Sequence, residues 1–169
     1  MNPLIWDGVI VGSIVIIFIV LVRRLPVAAR FVREEKKEVT PEKVMEVSLT
    51  AQADEAYNSK NYALAEELYI KLATEDPKNS KLYDRLGNIY LNQQNFYDAK
   101  DAFLQSIKLD PSEVMRHVNL GHAYMGLKDY FKATQAFLQA IELNPKENKF
   151  RQLYERAQKA LEREKKKGK

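Results

Sequence analysis

The sequence predicts an all-α fold, a right-handed solenoid of stacked helix-turn-helix repeat units with an N-terminal transmembrane helix, and three observations carry that prediction. Pro77, Pro111 and Pro145 lie 34 residues apart. Leu86/Leu120, Gly87/Gly121, Tyr90/Tyr124, Ala99/Ala133 and Phe103/Phe137 recur at the same interval. A chain that repeats itself with this period builds one supersecondary unit several times, and each unit buries its apolar face only by stacking on a neighbour. The third observation is residues 4–22, LIWDGVIVGSIVIIFIVLV, which hold a single charge, Asp7. A helix of that length reaches about 28 Å, enough to cross a bilayer.

The apolar segment reads as a retained anchor rather than a cleaved signal, because no Lys or Arg precedes it and Arg23 and Arg24 close it. Arg30, Arg33, Lys36 and Lys37 also follow the span, so the positive-inside rule expects the N-terminus outside and the remainder in the cytoplasm. Asp7 falls near the outer end, within reach of headgroup water, with Trp6 beside it as an interface anchor. Gly8 and Gly12 form a G-x-x-x-G pair, a spacing that lets two spans approach closely. After a linker of mixed charge, Thr40 can cap a helix with Pro41 at its first position and Glu42 beside its positive end.

Within a repeat, Leu86 and Tyr90 share one face of the first helix, and Gly87 removes a side chain where a second helix must come close. The second helix is expected to set Ala99 against that gap and to drive Phe103 into the core. Proline then stops it, since a helix interior cannot spare the N–H. The turns KNYALA, QNFYDA and KDYFKA each place an aromatic residue, Tyr62, Phe96 or Tyr130, three positions before Ala65, Ala99 or Ala133. Most of the remaining aromatic residues, among them Tyr57, Tyr69, Tyr83 and Tyr97, are assigned to the core.

L-G-x-x-Y followed by A-x-x-x-F and P at a 34-residue period resembles the tetratricopeptide repeat. The resemblance implies three units, 46–79, 80–113 and 114–147, with the first departing from the pattern at Gln52, Ala53 and Ala56. The expected organisation is an anchor at 1–25, a charged linker at 26–40, three units over 41–147, and a capping helix with a basic tail at 148–169. Phe150, Tyr154, Ala157 and Leu161 form the stripe of that cap, which is expected to run to about residue 164. The last residues, REKKKGK, read as a frayed, solubilising tail.

Charge is unevenly divided. Residues 46–147 carry 11 Lys/Arg and 15 Asp/Glu (net −4), whereas residues 148–169 carry 9 and 3 (net +6). The basic balance therefore belongs to the C-terminus and does not mark the repeats as a nucleic-acid surface. The chain has no cysteine and two histidines, which excludes disulfides and thiolate chemistry. His117 reads as a packed imidazole, and His122 has no neighbouring ligand with which to hold a metal. There is no phosphate loop, nucleophile elbow or H-E-x-x-H. The sequence thus predicts neither an enzyme nor a cofactor.

The resemblance implies a concave groove lined by the first helices and used to hold an extended peptide or a partner's helix. By repeat position it would be lined by Asp54, Tyr57 and Asn58, by Arg85, Asn88, Leu91 and Asn92, and by Asn119, His122 and Met125, with Lys149 closing the end. Asparagines can both donate to and accept from a peptide backbone, and Arg85 is placed to grip a carboxylate. Asp84 stands where relatives that bind chaperone tails need a lysine, which argues against such a tail. The function expected is a membrane-tethered adaptor or scaffold for a protein or peptide partner. The alternative is a platform of self-associating copies at the membrane.

Overall fold

The computed structural model describes residues 41–167. The apolar span, the linker and Thr40 lie outside those residues. Among the described residues there are seven helices and no strand: α1 (Pro41–Asn58), α2 (Tyr62–Glu75), α3 (Ser80–Asn92), α4 (Phe96–Leu109), α5 (Val114–Gly126), α6 (Tyr130–Leu143) and α7 (Asn148–Lys167). From α2 onward each helix packs on the next in chain order, and α3 also touches α5. This is an all-α repeat array. Residues 45–169 form a compact unit of their own.

The turn inside each helix pair is set by hydrogen bonds that are the same three times. Asn61, Asn95 and Asp129 donate their N–H groups to the carbonyls of Ala56, Tyr90 and Tyr124, five residues back. Lys60, Gln94 and Lys128 donate to Tyr57, Leu91 and Met125, three back. This is the Schellman arrangement, which satisfies the last carbonyls of a helix and requires a left-handed residue just past its end. Lys60, Gln94 and Lys128 occupy that position with φ of 62°, 59° and 61°. Asn61, Asn95 and Asp129 then cap the following helix by accepting from the N–H groups of Leu64, Asp98 and Lys132. The aromatic residues Tyr62, Phe96 and Tyr130 are therefore first residues of helices.

Between pairs, a side chain six residues after each proline meets that proline's carbonyl. Tyr83 Oη donates to Pro77 at 3.3 Å and Arg151 Nη2 to Pro145 at 3.1 Å, while His117 Nε2 lies 3.1 Å from the Pro111 oxygen. Three unlike residues thus perform one task, tying the proline loop to the helix that follows. His117 is buried, and donation to Pro111 fixes the proton on Nε2.

Two apolar clusters fill the array. One gathers Ala53, Ala56, Ala65, Tyr69, Leu72, Leu82, Leu86, Ile89 and Ala102 from α1–α4. The other runs from Ala99 and Phe103 through Val118, Tyr124 and Phe137 to Phe150 and Ala157. Tyr90 packs against both.

The space above Gly87 is filled differently from the sequence expectation. Phe103, not Ala99, closes it: an ideal Cβ on Gly87 would lie 2.7 Å from the Phe103 ring, and one on Gly121 would lie 2.5 Å from Phe137. Ala99 and Ala133 are themselves fully buried. Tyr97 is a second departure, being 70% exposed. At the C-terminus the helix continues to Lys167, beyond the expected end near residue 164 and through most of the stretch expected to fray.

Candidate functional site

The first helices α1, α3 and α5 present one continuous face, and its side chains are joined across units. On α1, Asp54 accepts a 2.6 Å hydrogen bond from Tyr69 Oη and pairs with Arg85 Nη2 at 3.2 Å. The Arg85 guanidinium lies 5.3 Å from the centre of the Tyr57 ring. Arg85 is thus already paired with a carboxylate and stacked on an aromatic ring, not free to grip an incoming one. Burial pushes the Tyr69 phenol upward, and the hydrogen bond to Asp54 adds to that shift, so Tyr69 is a fixed donor at neutral pH. The Asp54–Arg85 pair is nearly half exposed on both sides, which limits its worth to stability but not its role in holding two units in register.

One repeat further on, Asn119 Nδ2 donates to Asn88 Oδ1 at 2.9 Å. Asn92, exposed at the end of α3, donates to the Asn88 carbonyl at 2.8 Å. The Asn88 amide nitrogen and the Asn119 amide oxygen make no bond among the described residues, and each leaves a donor or an acceptor for a partner. Leu91 and Met125 are half-buried against the core beneath this line. Asn58 is exposed at the end of α1.

At the far end, the His122 ring meets Phe137 edge-on with 5.5 Å between centroids. Burial lowers the His122 pKa below the usual histidine value, and the charges of Arg156 and Lys149 push it the same way. The imidazole is neutral at pH 7, with a cationic wall from α7 beside it. Among the described residues no group of three His, Asp or Glu side chains is placed to hold a metal. The structure therefore brings together Asp54 with Arg85 and Asn88 with Asn92 and Asn119, and sets His122 in the field of Arg156 and Lys149.

Asp84 does not present its charge as the sequence position suggested. Arg116, only 4% exposed, donates from Nε to both Asp84 oxygens at 2.8 and 2.9 Å. It also donates from Nη2 to Ser80 Oγ at 3.0 Å and pairs through Nη1 with Asp110 Oδ2 at 2.7 Å. The fully buried Ser106 hydroxyl is shared between Asp84 and the Ser80 carbonyl. Asp84 is thereby neutralised between α3, α4 and α5, and its like-charge argument against an acidic ligand lapses. Sequence reasoning missed this network. Its signal was present in the register: Arg116 aligns with Leu82 and Phe150, and Asp84 with Val118.

The geometry defines a helical-repeat protein with a polar, solvent-open face on its first helices. Residues 80–113 and 115–147 match the family model of the tetratricopeptide repeat. Comparison with curated proteins returns no match. Among solved structures, the first such domain of Spaghetti (RPAP3), bound to the HSP90 peptide SRMEEVD, aligns with a TM-score of 0.65 at 20% identity, covering 69% of this chain and 92% of that one. The second domain of human RPAP3, in complex with the HSP70 peptide SGPTIEEVD, aligns at 0.64 and 23% identity, covering 68% and 96%. The Sgt2 domain from Aspergillus fumigatus aligns at 0.65 and 21% identity, covering 75% and 83%. At these identities the likeness is one of fold.

Proposed function

We propose that this chain is a non-enzymatic adaptor that holds an extended peptide segment of a partner protein against the first-helix face. The observation that carries the reading is the line Asp54–Arg85, Asn88–Asn119 and His122, polar groups from successive units that share one face, on which the Asn88 amide nitrogen and the Asn119 amide oxygen keep unused hydrogen-bonding capacity. An apolar core surface would need no such line, and backbone recognition is what a row of carboxamides does well. Structural neighbours that carry chaperone peptides support the reading by fold.

The apolar segment at 4–22 would tether the domain to a membrane, N-terminus outside and repeats on the cytoplasmic side, raising the local concentration of weak contacts. Among the described residues no helix is long and apolar enough to cross a membrane, so this part rests on the sequence of residues 4–22. Protease protection in sealed vesicles tests it: inverted vesicles must expose the repeats and right-side-out vesicles must shield them.

For the groove, affinity capture from detergent-solubilised membranes compares the wild type with an Arg85→Ala, Asn88→Ala, Asn119→Ala variant of matched helicity. Loss of a specific co-purifying protein is the expected result, and an unchanged set of partners would exclude this face. One observation favours the self-associating alternative. Ile70, Leu104 and Leu138 recur at the repeat interval on the second helices, each more than 40% exposed, with Tyr97 and Phe131 beside them. Recovery of only the chain itself would select that reading.

A further inference from the structure

We propose that the exposed distal half of α7 is a docking surface for anionic lipid headgroups, made by a stripe of four cations, Lys159, Arg163, Lys166 and Lys167. At about 100° per residue these four side chains fall within roughly 100° of the helix circumference. All are exposed, and no Asp or Glu shares their arc. Glu155 and Glu162 lie on one flank and Glu164 on the other. Phe150 and Ala157 face the core from the opposite side. From Lys159 to Lys167 the stripe runs roughly 12 Å. None of the four takes part in an ion pair among the described residues, so their charge is not spent inside the domain.

Three features select a flat anionic surface over other polyanions. α7 has 20 residues against 14 in α6 on which it packs, and residues 162–167 are exposed without exception. The stripe therefore continues past the array as a straight rod, matched to a plane rather than enclosed in a groove. Its arc contains no aromatic side chain, so it offers no platform on which bases could stack. The remainder of the repeat domain, residues 46–147, is net negative while residues 148–169 are net positive, so an anionic surface would attract α7 and repel the body behind it. Attraction of this kind needs no directional bond and falls off within a Debye length. Choosing a lipid surface rests on the proposed tethering, which sets the domain beside the leaflet that is rich in anionic lipid.

The test uses the full-length chain with vesicles of phosphatidylcholine alone or with added phosphatidylserine, and reads amine labelling of each lysine by mass spectrometry. Lys159, Lys166 and Lys167 are expected to lose roughly threefold or more of their reactivity only with phosphatidylserine, recovering in high salt. Lys165, on the same helix but off the stripe, and Lys71 should not change. A Lys159→Glu, Arg163→Glu, Lys166→Glu variant of unchanged helicity should lose the protection of Lys167. Equal labelling in both vesicles would overturn the proposal, as would protection by added RNA without protection by phosphatidylserine. Flotation with neutral vesicles reports the anchor separately, so a failed anchor and a failed stripe give different results.

Discussion

Gly121 shows how far one missing side chain sets the geometry of a unit. Phe137 lies against it and is 1% exposed, so the ring has no room to yield to a Cβ placed 2.5 Å away. Gly121→Ala gains about 1 kcal/mol in helix propensity, but overpacking of this kind costs about 1–3 kcal/mol, more where the neighbour cannot move. The expected net effect is a loss of about 1–2 kcal/mol in urea denaturation. Adding Phe137→Leu should make the Gly121→Ala change milder than it is alone, because the two residues compete for one space. The left-handed Lys60, Gln94 and Lys128 carry the opposite lesson. Their backbone strain is imposed by the Schellman bonds on either side, and nothing in their side chains asks for it.

The repeated elements were legible because self-similarity at one interval needs no knowledge of contacts. Pro77, Pro111 and Pro145 end helices for a reason local to proline, and the helices do restart at Ser80, Val114 and Asn148. The pairing of Phe103 with Gly87 was not legible, since periodicity names the residues on a face but not which of two neighbours fills a gap. Membership of the polar line on the first helices was readable from register, whereas the bonds that commit Arg85 to Asp54 depend on side-chain reach. The Arg116 network was hidden for a related reason: it departs from the repeat at the one junction where it sits. Phe150 and Val118, the equivalents of Arg116 and Asp84 one unit on, are buried in the apolar cluster. Arg116→Leu alone should therefore cost about 3–5 kcal/mol, because Asp84 would be left without its partner. Arg116→Phe combined with Asp84→Val imports the next junction's solution and should recover most of that loss. A double-mutant cycle in urea reads the difference. The same network gives a signature in acid. Asp110 is held down to about 2, by the Ser112 hydroxyl first and by Arg116 next. A depressed folded-state value means that ionised Asp110 favours the fold. Its contribution is complete above about pH 4, the range of an unperturbed carboxylate, and is lost as pH falls through about 2. Asp110→Asn should remove that part of the acid dependence and leave the neutral-pH slope unchanged.

In the molecule as a whole, a stacked array needs its last exposed face covered, and α7 does this while carrying a charge pattern the cover does not require. The two roles separate along the helix. Phe150 and Ala157 are buried against the cluster that contains Ala136, Phe137 and Ala140, whereas residues 162–167 touch no core. A chain ending at Glu147 uncovers that cluster and forfeits the burial of a phenylalanine, a loss of about 3–5 kcal/mol from that side chain alone. At a few degrees per kcal/mol its thermal midpoint should fall by on the order of 10 °C or more. Exposure of apolar surface should also make it prone to associate. A chain ending at Glu162 removes five of the nine basic residues of the C-terminal segment, and of the described residues it takes away only exposed side chains. Its midpoint should stay within about 0.5 kcal/mol of the full chain, the usual range for surface changes. Calorimetry on the two truncations against the full chain decides the matter. If the shorter cut destabilised the array as much as the longer one, the basic end would be part of the cover, and its charge would have to be explained by folding rather than by contact with a surface.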